Sequence, residues 1–419
     1  MVPTNTSNEK RPLRVLFFDL NDPFDHLNWS GTPAQIIRCL KEAGAQVTVL
    51  GPNFLFIRKS INWIIHRYYR YVRKRFYHID RDLFWVRLFT RLSNRRLRAE
   101  TADAIVTAFP AFTSFLQQGL PIFMIHDATW GQVLESYPWF RVENQPPRIV
   151  DNGFELEKIT YRRKDVYPVL TSAWAADRAE KDYGADPDRI SILPLGPNLM
   201  IAPGRPELEA ALRCRGKGPC RLLFIGKEWL RKGGPSAVKA AAALIKAGIP
   251  AELHVVGPAE LKPQSSAAAD LPSFVRLHGF LSKSDPHDAG ALKKLYLESD
   301  FFILPTLAEA LGVVFAEAAA HGLPSLGTSV GGVPSVLHDG VDGAIFSPDD
   351  PAHEMALWIK RHYLDRSSYE ALAWRARSDY EVRLSSLAYG TQLARIIRNT
   401  IDSNACKPDL PGESLAQSA

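Results

Sequence analysis

Residues 301–324 have the sequence FFILPTLAEALGVVFAEAAAHGLP, in which a short apolar run leads through a loop into a helical pattern. The apolar run at 301–304 has the length of a buried strand, and Pro305 ends it. The helical pattern begins at Gly312 and continues to His321, and Gly322 and Pro324 indicate its end. In an open α/β sheet, a ligand commonly binds where a buried strand leads into a helix N-terminus. We therefore expect an α/β fold with a binding site at this junction.

Two glutamates lie on either side of the predicted helix start. Glu309 precedes Gly312, and Glu317 lies about one turn inside the helix. The backbone N–H groups at Gly312 and Val313, together with the positive end of the helix dipole, would attract an anion. Two acids at such a junction can reach two parts of one elongated ligand. An equally simple interpretation is that one glutamate caps the helix and the other is solvated.

The same residues resemble the donor-site signature of glycosyltransferase family 4. The shared features are two glutamates separated by seven residues, the ALG between them, the HGLP after them and the continuation GGVPSVLHDGVDG at 331–343. The resemblance implies a GT-B architecture, in which two Rossmann-like domains face each other across a cleft. It also implies a retaining transfer of a hexose from a nucleotide-diphosphate sugar to a hydroxyl of a glycan or a lipid-linked acceptor. We expect no metal and no cofactor other than this donor.

Length and composition agree with a two-domain protein. The 419 residues can form two or three domains, each with its own core. No run approaches the ~20 apolar residues of a transmembrane helix, and residues 1–11 lack the apolar core of a signal peptide. Neither a disulfide framework nor a metal-ligand spacing is formed by the cysteines, which are Cys39, Cys214, Cys220 and Cys406. We therefore expect a cytoplasmic protein.

The chain opens with a predicted strand at 14–20, a polar loop, a helix capped by Thr32 and a strand at 46–50. This plan is Rossmann-like but lacks the G-x-G-x-x-G fingerprint. In the family it resembles, a glycine-bearing loop at this place faces the transferred sugar and the donor phosphates. The resemblance therefore implies a donor contact at Gly31. The alternative is that Gly31 only forms a helix-capping turn.

His126 and Asp127 lie at the carboxyl end of a predicted strand at 121–125. Strand ends of this kind face the cleft in an α/β sheet. A lone histidine is often only structural, but the resemblance places His126 near the transferred sugar and makes it a catalytic candidate. Asp127 is expected either to orient His126 or to contact the acceptor, for which Trp29 is a second candidate.

Residues 221–234, RLLFIGKEWLRKGG, predict a second strand, glycine turn and helix. Lysine at such a turn suits phosphate, because its charge adds to the backbone N–H donors. The spacing differs from that of a P-loop, and solvated lysines are the alternative. The resemblance assigns Lys227 and Lys232 to a diphosphate grip, with Lys232 also among the catalytic candidates. Arg231 is an alternative phosphate partner.

Predicted strands at 252–257 and 275–279 end at the same edge of the second sheet. The resemblance places the nucleotide base against the loops that follow them. Gly257, Gly279 and Phe280 are therefore expected neighbours of the base.

The resemblance also assigns roles to the residues of the signature itself. Glu317 is expected at the ribose hydroxyls, and Glu309 at a hydroxyl of the donor sugar as a catalytic candidate. The backbone N–H groups of Gly312 and Val313 are expected to offset the charge of the leaving diphosphate. No protein nucleophile is evident. Family chemistry then implies attack on the departing group's own face, with a donor phosphate oxygen taking the acceptor's proton.

Residues 55–99 interleave aromatic residues with arginine and lysine and contain almost no acids. Helices of this composition can lie on an anionic membrane surface. The same pattern would also serve nucleic acid, which we do not expect as a partner here. The alternative is a helical pair that packs its aromatic side chains on the first domain and leaves its arginines solvated. Asp80 and Asp82 imitate a metal-binding D-x-D motif, but we interpret them as a helix terminus or ion pair.

The predicted organisation is a domain at 1–201 on the acceptor side, a nucleotide-sugar domain at 202–383, a crossover helix at 384–402 and a disordered tail at 403–419. The proline- and glycine-rich residues 202–219 suit an interdomain linker. A catalytically silent nucleotide-sugar sensor or a membrane-docked scaffold of the same fold is the alternative function. A nicotinamide dehydrogenase is disfavoured because neither half has the dinucleotide fingerprint.

Overall fold

The computed structural model describes residues 11–25, 28–51, 55–199, 202–258, 261 and 270–405. Two parallel sheets of six strands each form the centres of the two halves of the chain. Helices connect consecutive strands in both halves wherever the connection is fully described, as suits parallel pairing. The predicted α/β class is therefore confirmed.

The first sheet has the strand order β2-β1-β3-β4-β5-β6. Its strands are β1 (Arg14–Phe18), β2 (Gln46–Leu50), β3 (Ala104–Thr107), β4 (Ile122–His126), β5 (Val166–Leu170) and β6 (Ser191–Ile192). Every residue of the central strands β3 and β4 is buried, because helices cover both faces of a parallel sheet. His126 is the last residue of β4, whereas the sequence placed it just after the end of this strand.

The helices of the first half are α1 (Thr32–Glu42), α2 (Leu55–Arg67), α3 (Leu83–Leu97), α4 (Pro110–Thr113), α5 (Trp130–Ser136), α6 (Pro147–Tyr161) and α7 (Ala173–Tyr183). The basic aromatic segment 55–99 contains the expected pair of helices, with a π-helical turn at Tyr68–Val72 and the non-helical residues 73–78 between α2 and α3. The Asp82 carboxylate caps α3 by accepting from the Phe84 N–H at 2.9 Å. The interpretation of Asp82 as a helix terminus is therefore confirmed.

The second sheet has the strand order β12-β11-β10-β7-β8-β9. Its strands are β7 (Cys220–Ile225), β8 (Ala251–Val256), β9 (Val275–Gly279), β10 (Phe301–Leu304), β11 (Ser325–Thr328) and β12 (Gly343–Phe346). The predicted strand at 301–304 is β10, which is fully buried between β7 and β11.

The helices of the second half are α8 (Arg205–Cys214), α9 (Gly234–Lys246), α10 (Pro286–Glu298), α11 (Val313–Ala320), α12 (Val333–Val336), α13 (Ala352–Leu364), α14 (Arg366–Asp379) and α15 (Ser386–Ala405). The presence of α8 corrects the interpretation of 202–219 as a linker. Its Leu208 and Leu212 side chains are buried in the core of the second half, so most of this segment packs as part of that half.

The last helix, α15, returns to the first half and packs against α1. A Cβ atom at Gly390 would lie 1.9 Å from the Cys39 carbonyl oxygen, so the two helices approach as closely as glycine allows. The crossover helix is therefore confirmed, but it begins and ends slightly later than the expected 384–402. Residues 403–405 belong to this helix, and the rest of the expected tail lies outside the described residues.

Across the described residues, we find no helix with the length and apolar character needed to cross a membrane.

Candidate active site

The two halves of the chain meet at the carboxyl ends of their strands. Arg231, which follows β7, lies with its guanidinium carbon 4.9 Å from the centre of the Tyr137 ring at the end of α5. The Ala173 N–H at the start of α7 donates to the Ser335 hydroxyl of α12 at 3.2 Å. These contacts bring the loops at the carboxyl ends of the two sheets together across a cleft.

Glu309 lies in the loop between β10 and α11, with 9 % of its surface exposed. Its carboxylate forms an ion pair with the Lys232 ammonium and lies 4.0 Å from Nη1 of Arg231. The backbone of this loop is packed against Gly331, where a Cβ atom would lie 1.7 Å from the Glu309 carbonyl oxygen. The glycine pair that begins the continuation at 331–343 thus fixes the position of Glu309.

Lys232 reaches Glu309 because the preceding strand and the following helix are joined by a tight glycine turn. Gly233 has a φ of 78° and caps α9. A Cβ atom there would lie 1.8 Å from the Pro305 carbonyl oxygen, and one at Gly234 would lie 2.1 Å from the Trp229 ring. Only glycine lets this turn lie against the end of β10.

Arg231 and Lys227 differ in how far they are engaged by the protein. The Arg231 guanidinium forms two hydrogen bonds of 2.7 Å with the Glu228 carboxylate and donates to the Ala308 carbonyl oxygen at 2.5 Å. Lys227 is exposed, and within the described ranges no carboxylate lies at ion-pair distance from it. Its Nζ lies 5.4 Å from the centre of the Phe280 ring. Arg231 therefore stabilises this turn through its hydrogen bonds within the protein, and Lys227 is the side chain that remains available to bind an anion.

Glu317 is in α11 and exposes none of its surface. Its carboxylate accepts a hydrogen bond of 2.8 Å from the Tyr296 hydroxyl and forms an ion pair with Lys283. Burial and the charge of Glu317 raise the pKa of Tyr296 well above its usual value, so Tyr296 is a donor here. Sequence reasoning missed both partners, because they lie 21 and 34 residues away and in no recognisable spacing.

The glycines expected near the nucleotide base also come together. The Gly257 N–H donates to the Gly279 carbonyl oxygen at 2.8 Å. Gly257 has a φ of 110°, and a Cβ atom there would lie 2.8 Å from the Gly226 carbonyl oxygen. The loops after β7, β8 and β9 therefore form one edge, beside which Phe280 exposes 59 % of its surface. Contact of these residues with a base stays a prediction.

On the opposite side of the cleft, Gly31 belongs to a left-handed turn. The φ angles are 44° at Trp29, 55° at Ser30 and 80° at Gly31, where α1 begins. Left-handed backbone at non-glycine residues costs on the order of 1–3 kcal/mol each and persists only where neighbours hold it. Asn28 donates to the Asp19 carboxylate at 2.9 Å, and Asn198 donates to the Ser30 carbonyl oxygen at 2.8 Å.

Asp19 has no exposed surface and was missed by sequence reasoning. Burial raises its pKa to about 6. An aspartate near the end of the predicted strand at 14–20 was the available signal in the sequence. The role of Asp19 could not be predicted, because it depends on a contact with Asn28 in the polar loop. Asp19 therefore holds the turn that positions Gly31.

Trp29, His126 and Asp127 form one cluster. The Trp29 indole N–H donates to the Asp127 carboxylate at 3.1 Å, and its ring centre lies 6.1 Å from that of His126. Burial, with a contribution from the charge of Glu309 across the cleft, raises the pKa of Asp127 to about 6. Burial, and then the charge of Arg81, lowers the pKa of His126 to about 3, so its imidazole is neutral at physiological pH.

A buried ion pair supports the loop that carries these residues. Arg81 donates to the fully buried Glu157 at 3.1 Å, and the other Glu157 oxygen accepts from the Trp130 N–H at 2.7 Å. Since Trp130 begins α5, this pair holds the segment that follows His126. The DRD sequence at 80–82 thus supplies an ion pair and a helix cap.

Two groups of acidic and histidine side chains lie close enough to share a cation among the described residues. They are Asp285, His287 and Asp288, and His338, Asp342 and Asp379. Neither group contains a predicted site residue. Arg383 already forms hydrogen bonds of 2.7 and 3.0 Å with the Asp379 carboxylate in the second group, so its charge is compensated by the protein.

The raised pKa of Asp127 predicts a pH-dependent effect of Asp127→Asn on stability. As pH rises from about 4 to about 6, the unfolded state ionises this group more readily than the folded state, so the wild type loses free energy of unfolding. The asparagine variant keeps an acceptor for Trp29 and has no such loss. We expect the stability of the variant relative to wild type to rise by on the order of 2 kcal/mol between pH 4 and pH 7.

Urea unfolding of both proteins at several pH values measures this difference. If the free energies of unfolding of wild type and Asp127→Asn differ by the same amount at every pH between 4 and 7, Asp127 ionises with an ordinary pKa and the prediction is wrong.

A family comparison covers the second half of the chain. Residues 219–365 match the family model described as glycosyl transferases group 1. The D-inositol 3-phosphate glycosyltransferase of Acidothermus cellulolyticus is 31 % identical over 198 residues, which are 44 % of this chain and 43 % of that protein. The chain thus spans less than half the length of this curated relative.

Solved structures resemble almost the whole chain. Sucrose-phosphate synthase from Thermosynechococcus elongatus has a TM-score of 0.63 at 15 % identity, covering 94 % of this chain and 100 % of that chain. HepE of Anabaena in complex with UDP-glucose has a TM-score of 0.56 at 14 % identity, covering 93 % of this chain and 100 % of that chain. At these identities the likeness concerns the fold.

The family match and the fold agree with the resemblance found in residues 301–343, which is therefore confirmed. Residues 219–365 match the model described as glycosyl transferases group 1, and the chain as a whole has the GT-B fold.

Proposed function

We propose that this protein is a glycosyltransferase that moves a hexose from a nucleotide-diphosphate sugar to a hydroxyl of a glycan or lipid-linked acceptor, with retention of anomeric configuration. The observation that carries the proposal is the Lys232–Glu309 ion pair in a cleft whose other side holds Trp29, His126 and Asp127. The group 1 domain and a fold neighbour that binds UDP-glucose support it.

The donor diphosphate would bind at the start of α9. Lys232 and the exposed Lys227 bring two positive charges to a glycine turn that leads into a helix N-terminus, where backbone N–H groups also favour anions. The N–H groups of Gly312 and Val313 at the start of α11 would add to this field. Because fixed cations and dipoles stabilise a leaving diphosphate, we propose a reaction that uses no metal.

The transferred sugar would lie between Glu309 and His126. Glu309 would accept a hydrogen bond from a sugar hydroxyl, and Lys232 would hold the carboxylate in place. A neutral His126 can donate or accept a hydrogen bond at the reacting centre without adding charge. Trp29 and Asp127 would contact the acceptor. In the proposed step the acceptor oxygen attacks from the side of the leaving phosphate, whose oxygen takes the acceptor's proton.

The enzyme proposal is tested by Glu309→Gln. Loss of the negative charge weakens the hydrogen bond to the sugar hydroxyl and removes the ion-pair partner of Lys232, so we expect turnover to fall by on the order of 10²–10³-fold. Donor hydrolysis and transfer are measured with UDP-, GDP-, ADP- and dTDP-linked sugars, and binding of each donor is measured by calorimetry.

The matched control is Glu298→Gln. Glu298 is exposed on α10 and lies 3.8 Å from Lys294, so its loss also removes a carboxylate beside a lysine but far from the turn after β7. Turnover of this control should equal that of wild type. Donor binding without consumption by wild type, whatever acceptor is supplied, would instead favour the silent sensor.

We also propose peripheral contact with an anionic membrane through α2 and α3. Exposed large apolar side chains are concentrated there, namely Phe56, Ile57, Trp63, Ile64, Tyr68, Tyr71, Val72, Phe84, Leu88 and Leu92. Beside α3 lies a cavity of about 830 Å³, lined by Arg87, Arg91 and Arg148 together with Phe84 and Leu88. Arg87 and Arg91 have no carboxylate at ion-pair distance among the described residues. Cations beside exposed apolar side chains suit a lipid headgroup region.

The alternative interpretation, in which aromatic side chains of residues 55–99 pack on the first domain, is correct for part of this segment. Phe89 and Tyr77 are buried in the first half, and the buried Arg58 donates to the Leu20 carbonyl oxygen at 3.1 Å. The segment therefore packs with one face and exposes the other. A cytoplasmic location and the absence of a nucleic-acid partner stay predictions.

Membrane contact is tested by flotation with vesicles that contain phosphatidylglycerol. At low salt we expect the wild type to float and Arg87→Gln/Arg91→Gln to lose most of its binding, because each basic residue near such a surface contributes about 1 kcal/mol. Lys239→Gln/Lys246→Gln is the control, since it removes two exposed charges from α9 in the other half. Equal flotation of all three proteins, or none by the wild type, would contradict the proposal.

A further inference from the structure

Glu317 cannot contact a ligand in the state that the structure describes. It is the residue proposed to bind the donor's ribose hydroxyls, yet it exposes none of its surface. One carboxylate oxygen accepts from Tyr296, and the other is paired with Lys283. Any ligand hydroxyl that reaches Glu317 must therefore replace one of these two partners.

The two partners differ in freedom to move. Tyr296 is fully buried, and its ring stacks on His321 with 4.6 Å between ring centres. The Lys283 side chain is 38 % exposed, whereas the Glu317 side chain is not exposed at all. Solvent therefore reaches the Lys283–Glu317 ion pair from the side of Lys283. Lysine has a flexible four-carbon stem, so its ammonium can leave without a change of backbone. Lys283 is therefore the partner that a ligand can replace.

The backbone that carries Lys283 is held in place. The neighbouring Ser282 N–H donates to the Asp288 carboxylate at 2.9 Å, and the Asp285 carboxylate caps α10 by accepting from the Asp288 N–H at 3.0 Å. The same loop begins at Phe280, beside Lys227. Lys283 therefore extends into the wall of the proposed donor site from a loop that already borders it.

We propose that Lys283 is a displaceable counter-ion that occupies the ribose position of the empty donor site. This rests on the proposed function. A buried carboxylate without a cation or hydrogen-bond donors is strongly unfavourable, so Glu317 needs a partner when no donor is bound. The two hydroxyls of a ribose can replace the ammonium as donors to this carboxylate. Donor binding and the departure of Lys283 are then one coupled event.

The coupling selects ligands that carry a vicinal diol. A nucleotide with ribose exchanges one set of donors to Glu317 for another, whereas a 2′,3′-dideoxy nucleotide has nothing to offer in exchange. Because part of the binding free energy is used to separate Lys283 from Glu317, the lysine lowers the apparent affinity for every donor that displaces it. Removal of Lys283 should therefore tighten the binding of ribonucleotides.

The experiment compares wild type with Lys283→Ala, using UDP, GDP and ADP and their 2′,3′-dideoxy counterparts as probes in calorimetry. We expect the variant to bind the preferred ribonucleotide about three- to tenfold more tightly, with little change for the dideoxy form. The variant should also melt at a lower temperature when empty, because Glu317 has lost its partner.

Lys293→Ala is the matched control. Lys293 forms an ion pair of 2.8 Å with Glu207, and its side chain is 36 % exposed, close to the value for Lys283. Its removal should also lower the melting temperature but leave nucleotide affinity unchanged. This control separates loss of a half-exposed ion pair from loss of a competitor at the donor site.

Each outcome decides the proposal. Tighter ribonucleotide binding by Lys283→Ala, absent with the dideoxy form and in Lys293→Ala, supports it. Weaker or unchanged binding would overturn it, because Lys283 would then stay in the complex as a donor contact or take no part. If no nucleotide binds the wild type, the proposed function itself fails, which the wild-type titration alone reveals.

Discussion

The arrangement of the cleft depends on one constraint, which is that a buried carboxylate needs a cation or several hydrogen-bond donors. Lys232 forms an ion pair with Glu309, and Lys283 forms one with Glu317. On the other side of the cleft, Arg81 forms an ion pair with Glu157. Removing one partner of such a pair leaves a buried charge uncompensated, at a cost of several kcal/mol. Each pair therefore ties two segments that are distant in sequence, and together the pairs fix the loops that line the site.

The same constraint explains which groups have unusual protonation. Asp127 has the Trp29 indole as a donor but forms no ion pair with a described residue, and burial raises its pKa to about 6. His126 is buried with Arg81 nearby, and its pKa falls to about 3. The first half thus brings a neutral imidazole and a carboxyl group of raised pKa to the cleft, and the second half brings paired lysines and carboxylates. This division suits a site where a charged leaving group lies on one side and an uncharged sugar hydroxyl reacts on the other.

The fold and much of the site could be predicted because they are encoded in local patterns. The apolar run at 301–304, the glycine at 312 and the two glutamates predicted a strand, a helix start and a binding edge, and the structure contains the strand and the helix start. The partners of the glutamates could not be predicted. Lys283, Tyr296 and Asp19 act through contacts between loops that are distant in sequence, and no local spacing indicates them. The prediction of a linker at 202–219 was wrong because the prolines and glycines there lie beside a helix or in its first turn, and the leucines of this helix are buried only in the tertiary structure.

The central claim is that the cleft between the two halves binds a nucleotide-diphosphate sugar with its diphosphate at the turn after β7. A crystal structure of the protein with the nucleotide sugar that it binds most tightly tests this claim most directly. We expect the diphosphate beside Lys227 and Lys232, the ribose at Glu317 and the sugar between Glu309 and His126. A nucleotide bound elsewhere, with the Lys232–Glu309 pair untouched and the cleft empty, would contradict it.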